Sequence, residues 1–155
     1  MGNQQADSTR QGMELVRKYR NLKNEIAQKE DGLREIIAQK NDLYERSLAP
    51  VQTDRELVRT YAKSDPVLAT VAAINDVYGQ RINSLLCSLS LLYARADTLK
   101  SRIDTAGLSQ KEEQYVRLRY IEGMSATDTA QRLGFCERHC RSINHSALSK
   151  IAHSG

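Results

Sequence analysis

Residues 108–151, LSQKEEQYVRLRYIEGMSATDTAQRLGFCERHCRSINHSALSKI, decide how this chain is read. They follow a pattern of helix, short helix, tight turn, helix. Ser109 is placed to cap the first helix, and Glu112, three residues on, completes a capping box. Tyr115, Val116, Leu118 and Ile121 supply its apolar positions, and Gly123 ends it. Ser125 caps the next helix, with Ala130 and Leu133 facing inward. Gly134 then provides a left-handed turn residue and Phe135 an apolar plug. In the last helix Cys140, Ile143, Ala147, Leu148 and Ile151 recur at helical spacing and predict its buried face. The opposite face carries Glu137, Arg138, Arg141, Ser142 and His145, side chains able to reach phosphates and base edges.

This is the spacing of a helix-turn-helix DNA reader. Met124-Ser125, Ala130, Leu133-Gly134-Phe135, Glu137-Arg138, Arg141 and Ala147-Leu148 align without a gap on a known pattern and resemble region four of bacterial housekeeping-type sigma factors. Arg117-Leu118-Arg119-Tyr120-Ile121-Glu122-Gly123 is similar to the same family's run before the motif. Together with Phe135-Cys136-Glu137-Arg138-His139, it also resembles a family of small phage and prophage regulators, in which a long helical region precedes such a domain. The sigma-like part covers the last third of the chain, and similarity to the phage family extends from about residue 65 onward. The resemblance implies double-stranded DNA as partner and a contact with RNA polymerase through the Gln114–Glu122 helix. It does not extend to the aromatic, basic helix with which a complete sigma factor opens DNA. Two positions depart from the pattern: Cys136 replaces the usual serine cap, and Thr129 stands where an aliphatic residue packs.

The candidate DNA-contacting residues are Ser125, Glu137, Arg138, Arg141, Ser142 and His145. Arg138 and Arg141 are the first choice for base or phosphate contact. Glu137 is suited equally to a cytosine amino group and to the helix dipole, and His145 to a phosphate. Within 109–155 there are seven Lys/Arg against five Asp/Glu, so few phosphates would be neutralised and help from polymerase or a second copy is expected. Cys136, His139, Cys140 and His145 invite a metal reading. However, Cys140 holds a core position and the four residues do not form two separated ligand pairs, so neither metal nor cofactor is expected. Cys87 lies mid-helix and is assigned to packing. No phosphate-binding glycine loop, activated nucleophile or catalytic carboxylate cluster is present, and an enzyme is not expected.

The rest of the 155 residues reads as long helix. One Phe, no Trp and two Pro are too few for a thick globular core, while 27% charged residues with heptad-spaced apolar ones favour paired helices. The formal charge of +4 permits an acidic partner. Residues 1–12 are polar and Gln-rich, and are expected to be disordered. From 13 to 107 the expectation is a coiled-coil hairpin. Its first helix has Leu15, Leu22, Lys29, Ile36 and Leu43 on one seam and Tyr19, Ile26, Leu33 and Lys40 on the other. Gly32 costs that helix roughly 1 kcal/mol relative to Ala, and Ala49-Pro50 stops it.

A connector, 49–65, is expected to hold a short helix near Asp54 to Tyr61, and Asp65-Pro66 to start the second long helix. That helix sets Val71, Tyr78, Leu85, Leu92 and Leu99 on one seam and Ile82, Leu89, Ala96 and Ile103 on the other, with Gly107 at its end. Leu86, Leu91 and Tyr93 fall outside the seam, a surplus that predicts a third helix, the connector or a second protomer against them.

The expected fold class is therefore all-α: a long-helix hairpin followed by a helix-turn-helix domain over 108–155. A homodimer through the long helices is expected, in the cytoplasm and away from membranes, since there is no signal-like apolar core and the cysteine count is odd. The alternatives are a coiled-coil adaptor without sequence-specific DNA binding and a phage packaging subunit.

Overall fold

Apolar residues at helical spacing fill this sequence and strand patterning is missing from it. The computed structural model accordingly shows only helices among the residues it describes, 2–49 and 66–154. Two long helices come first, α1 (Gly2–Leu48) and α2 (Pro66–Thr105). Three short ones follow: α3 (Gln110–Val116), which runs on into a π-helical stretch over Arg117–Ile121, then α4 (Ala126–Leu133) and α5 (Glu137–Ala152). α1 ends at Leu48, just before Pro50. The expected short helix at Asp54–Tyr61 and the Asp65 cap lie outside the described residues. Among the described residues no helix is long and apolar enough to cross a membrane.

One expectation is overturned at the N-terminus. Residues 2–12 are the opening turns of α1, not a disordered leader. Their polar composition gives no reason to fold alone, but Ser8 and Thr9 return their hydroxyls to the carbonyls of Gln4 and Gln5, and Gly12 is buried. Tertiary contact supplies what composition lacks.

The chain divides into two compact units, and the division does not fall at the expected 107/108 boundary. One unit is Ala27–Leu91. Within it the seam positions Val71, Tyr78, Ile82 and Leu85 are half-buried and Leu89 is buried, as the heptad predicts. Tyr44 hydrogen-bonds Asn75 between α1 and α2. Outside the seam, Leu86 and Leu91 stay 48% and 63% exposed, so among the described residues no third helix covers the surplus positions.

The other unit joins Met1–Ile26 to Leu92–Gly155. Here Ile26, Leu92 and Ala96 are buried in the long helices. Lys18 and Leu22 of α1 share a groove with Arg95 and Leu99 of α2, and Leu15 lies beside Arg102, so the two helices run antiparallel within this unit. Its main core is Val16, Val116, Ala147, Leu148 and Ile151, with Met13, Leu15, Ile103 and Leu108 packed around them. Val16 lies off the predicted α1 seam. It is fully buried because it faces α5, a neighbour the heptad pattern cannot report.

Candidate nucleic-acid interface

The five residues predicted to form the inner face of α5, Cys140, Ile143, Ala147, Leu148 and Ile151, are all buried. They fall into two clusters. Cys140 and Ile143 pack with Tyr115 and Ala130, flanked by Tyr120, Leu133 and Phe135, which joins α4 and α5 to α3. Ala147, Leu148 and Ile151 pack with Val116 and Val16. With one face consumed this way, the other is left outward by the 3.6-residue period.

Local chemistry holds the turn. Ser125 caps α4, its hydroxyl accepting from the Asp128 N–H at 3.0 Å and donating to the Asp128 carboxylate at 2.6 Å. Gly134 ends α4 with φ +69°, a conformation that costs a β-carbon-bearing residue about 1 kcal/mol or more. The Phe135 N–H then returns to the Ala130 carbonyl at 3.0 Å, and the Phe135 ring meets the His139 ring edge-on with centroids 4.9 Å apart. Thr129, where an aliphatic residue was expected, is fully buried and satisfied by donating to the Ser125 carbonyl at 2.7 Å. Cys136 occupies the N-cap of α5 in the extended conformation of a cap, yet makes no side-chain capping bond.

Glu112 ties this motif to α3. Its carboxylate accepts from the Ser109 N–H at 2.7 Å, closing the predicted capping box, and also from Ser146 Oγ at 2.5 Å and Lys150 Nζ at 2.7 Å. Burial alone would raise its pKa. The Lys150 ammonium, the Ser146 hydroxyl and the Ser109 donors outweigh that and bring the carboxyl from 4.5 down to about 2. Sequence reading found the cap but not the bridge to α5, which spans 38 residues.

A second anchor is Tyr120, whose hydroxyl donates to Asn144 Oδ1 at 2.7 Å. Burial pushes that phenol's pKa up. Arg119 Nη1 donates to the Met124 carbonyl at 2.8 Å across the turn that follows the π-helical stretch.

The candidate contact residues separate into three groups. Glu137, Arg138, Arg141 and Ser142 are exposed along α5. The spacing of Arg138 and Arg141 puts both guanidiniums on one side of the helix. Ser125 is also exposed, but it belongs to α4, where its hydroxyl accepts from the Asp128 N–H and donates to the Asp128 carboxylate. His145 is exposed on α5, and its Nδ1 lies 2.8 Å from Thr9 Oγ1 of α1. No sequence signal pointed to Thr9, because the pair is 136 residues apart. Cys136 is exposed and Cys140 buried, its thiol pKa raised by burial and by the nearby Cys136 and Glu137.

Residues 106–153 match the family described as Sigma-70, region 4. No curated protein and no solved structure gives a significant match to the chain.

Proposed function

We propose that this chain is a DNA-binding transcriptional regulator of phage or prophage type, non-enzymatic and cytoplasmic, that reads duplex DNA with α5. The observation that carries the reading is the outward row Glu137, Arg138, Arg141 and Ser142. It stands on a helix whose opposite face is locked into a helix-turn-helix core, within a segment similar to sigma region 4. A guanidinium on an immobilised helix loses little entropy when it grips a guanine edge or a phosphate bidentately, so its binding energy is retained. Polymerase contact is supported by Glu113, Gln114 and Arg117. They are exposed on α3 and its π-helical continuation beside a cleft of about 360 Å³ floored by Leu108, Val116 and Ile121.

The small charge excess of the C-terminal segment favours a regulator that binds with help. A second copy of the chain, seated on the exposed Leu68, Val77, Leu86 and Leu91, would place two reading helices on paired half-sites. These same apolar residues favour the rival reading, an adaptor that docks a protein partner without reading DNA.

Crosslinking the chain to the genome of its native host, with RNA polymerase scored in the same recovery, separates the two readings. A regulator recovers discrete promoter-proximal sites. Substituting both Arg138 and Arg141 with Ala should then weaken binding by at least about 1–3 kcal/mol, the worth of one good bidentate base contact, with helicity unchanged. Recovery of polymerase or other proteins without preferred DNA would favour the adaptor.

A further inference from the structure

α1 meets the reading helix at two points one turn apart. Thr9 faces His145, and Gly12 faces Leu148, in the same order along both helices, so the two run in the same direction where they touch. At Gly12 the approach is backbone to backbone. A Cβ built there would overlap the Leu148 carbonyl, so only glycine admits this contact. Val16, one turn later, is fully buried with Val116, Ala147, Leu148 and Ile151. From Gly12 onward α1 is therefore pinned. Residues 2–11 continue past His145 toward the end of α5 that carries Arg138, Arg141 and Ser142.

The polarity of the Thr9–His145 bond follows from its neighbours. Thr9 has one hydroxyl proton, and it is donated to the Gln5 carbonyl at 2.9 Å. Toward the imidazole Thr9 must accept, so His145 donates from Nδ1–H at 2.8 Å. His145 is thereby committed to α1 instead of to a phosphate.

The opening turns of α1 are also poorly suited to grip DNA themselves. Between Gly2 and Gln11 there is one Asp and one Arg, and the latter, Arg10, faces Glu14 at 3.5 Å. Binding to the phosphate backbone rests on unpaired cationic charge, which this segment lacks.

We infer that the first turns of α1 form an intramolecular cover over the His145 end of the reading helix, which duplex DNA displaces to engage the whole face. The inference rests on α5 being the DNA-reading helix. Because residues 2–11 precede the pinned Gly12 and Val16, they can leave without exposing the core.

The test uses four proteins: the full chain, the chain lacking residues 2–9, and each of these carrying His145→Ala. All are titrated against a fluorescein-labelled duplex selected from a random-sequence pool by the full chain. Removing the cover should tighten binding by roughly fivefold or more, the low end for one recovered contact. His145→Ala should take back part of the gain in the shortened chain, because the uncovered ring then has no contact to add. Unchanged or weaker binding by the shortened chain, with its helicity intact, overturns the cover. Thr9→Val, which removes the hydroxyl that holds His145 together with its local bond to the Gln5 carbonyl, decides the matter should the shortened chain lose structure: with helicity intact, a rise in affinity supports the cover and no change overturns it. If the full chain selects no duplex at all, the DNA-reading assignment falls and the cover with it.

Discussion

Replacing Glu112 with Gln keeps the shape of the side chain while removing the charge that holds α3 to α5. In the folded protein burial opposes ionisation, but the Lys150, Ser146 and Ser109 donors hold the carboxyl's pKa down at about 2 against an ordinary 4.5. At about 1.4 kcal/mol per unit this corresponds to roughly 3 kcal/mol of stability that depends on Glu112 being ionised. Because the folded value is depressed, that stabilisation is fully present above pH 4.5 and is lost as pH falls toward 2. The Glu112 side chain is only 8% exposed, so water screens its partners little, whereas Lys150 at 41% exposed would contribute little in a surface pair. Urea unfolding followed by circular dichroism, run on both proteins from neutral pH to pH 2, reads the effect. Near neutrality Glu112→Gln should be less stable by about 3 kcal/mol, which lowers the melting temperature by roughly 6–12 °C for a chain of this size. The gap should close as the wild type protonates. A gap below about 0.5 kcal/mol at neutral pH, within the range of an ordinary surface substitution, would refute the argument. So would a gap that persists unchanged at pH 2.

Three further outcomes follow from the same geometry. Cys136→Ser should stabilise the protein by about 1 kcal/mol, visible as a higher melting temperature. The N-cap backbone of α5 already has the extended conformation that a serine hydroxyl needs to reach the first-turn N–H groups. Val16→Ala should cost about 2 kcal/mol or more in denaturant unfolding, since it empties part of a fully buried site between α1 and α5. Residues 106–155 expressed alone should show little cooperative unfolding, because Val116, Leu148 and Ile151 lose the α1 side of their core, whereas the full chain should melt cooperatively.

Much of the C-terminal region was legible from the residues themselves. The Ser109–Glu112 box, the Ser125 cap, the Gly134 turn, the missing cap at Cys136 and the five buried positions of α5 all stand as the spacing predicts. Caps, turns and helical faces are set by residues within about four positions of one another, so a linear string carries them whole. The α2 seam was legible for the same reason, and Leu86 and Leu91 are exposed where the heptad leaves them out.

Three features lay beyond that range. Glu112 bonds to Ser146 and Lys150, Val16 enters the core around Leu148, and Thr9 engages His145, each across 34 to 136 residues. Periodicity says which face of a helix is apolar, not which partner covers it. Polar residues 2–12 carry no apolar stripe that would announce their helix. Sequence alone therefore determined the helices that carry an apolar stripe, the turn and the outward row of α5. Only the tertiary structure decided that the part of α1 up to Ile26 belongs to the same unit as that row and packs against α5, because the deciding contacts join residues that only folding brings together.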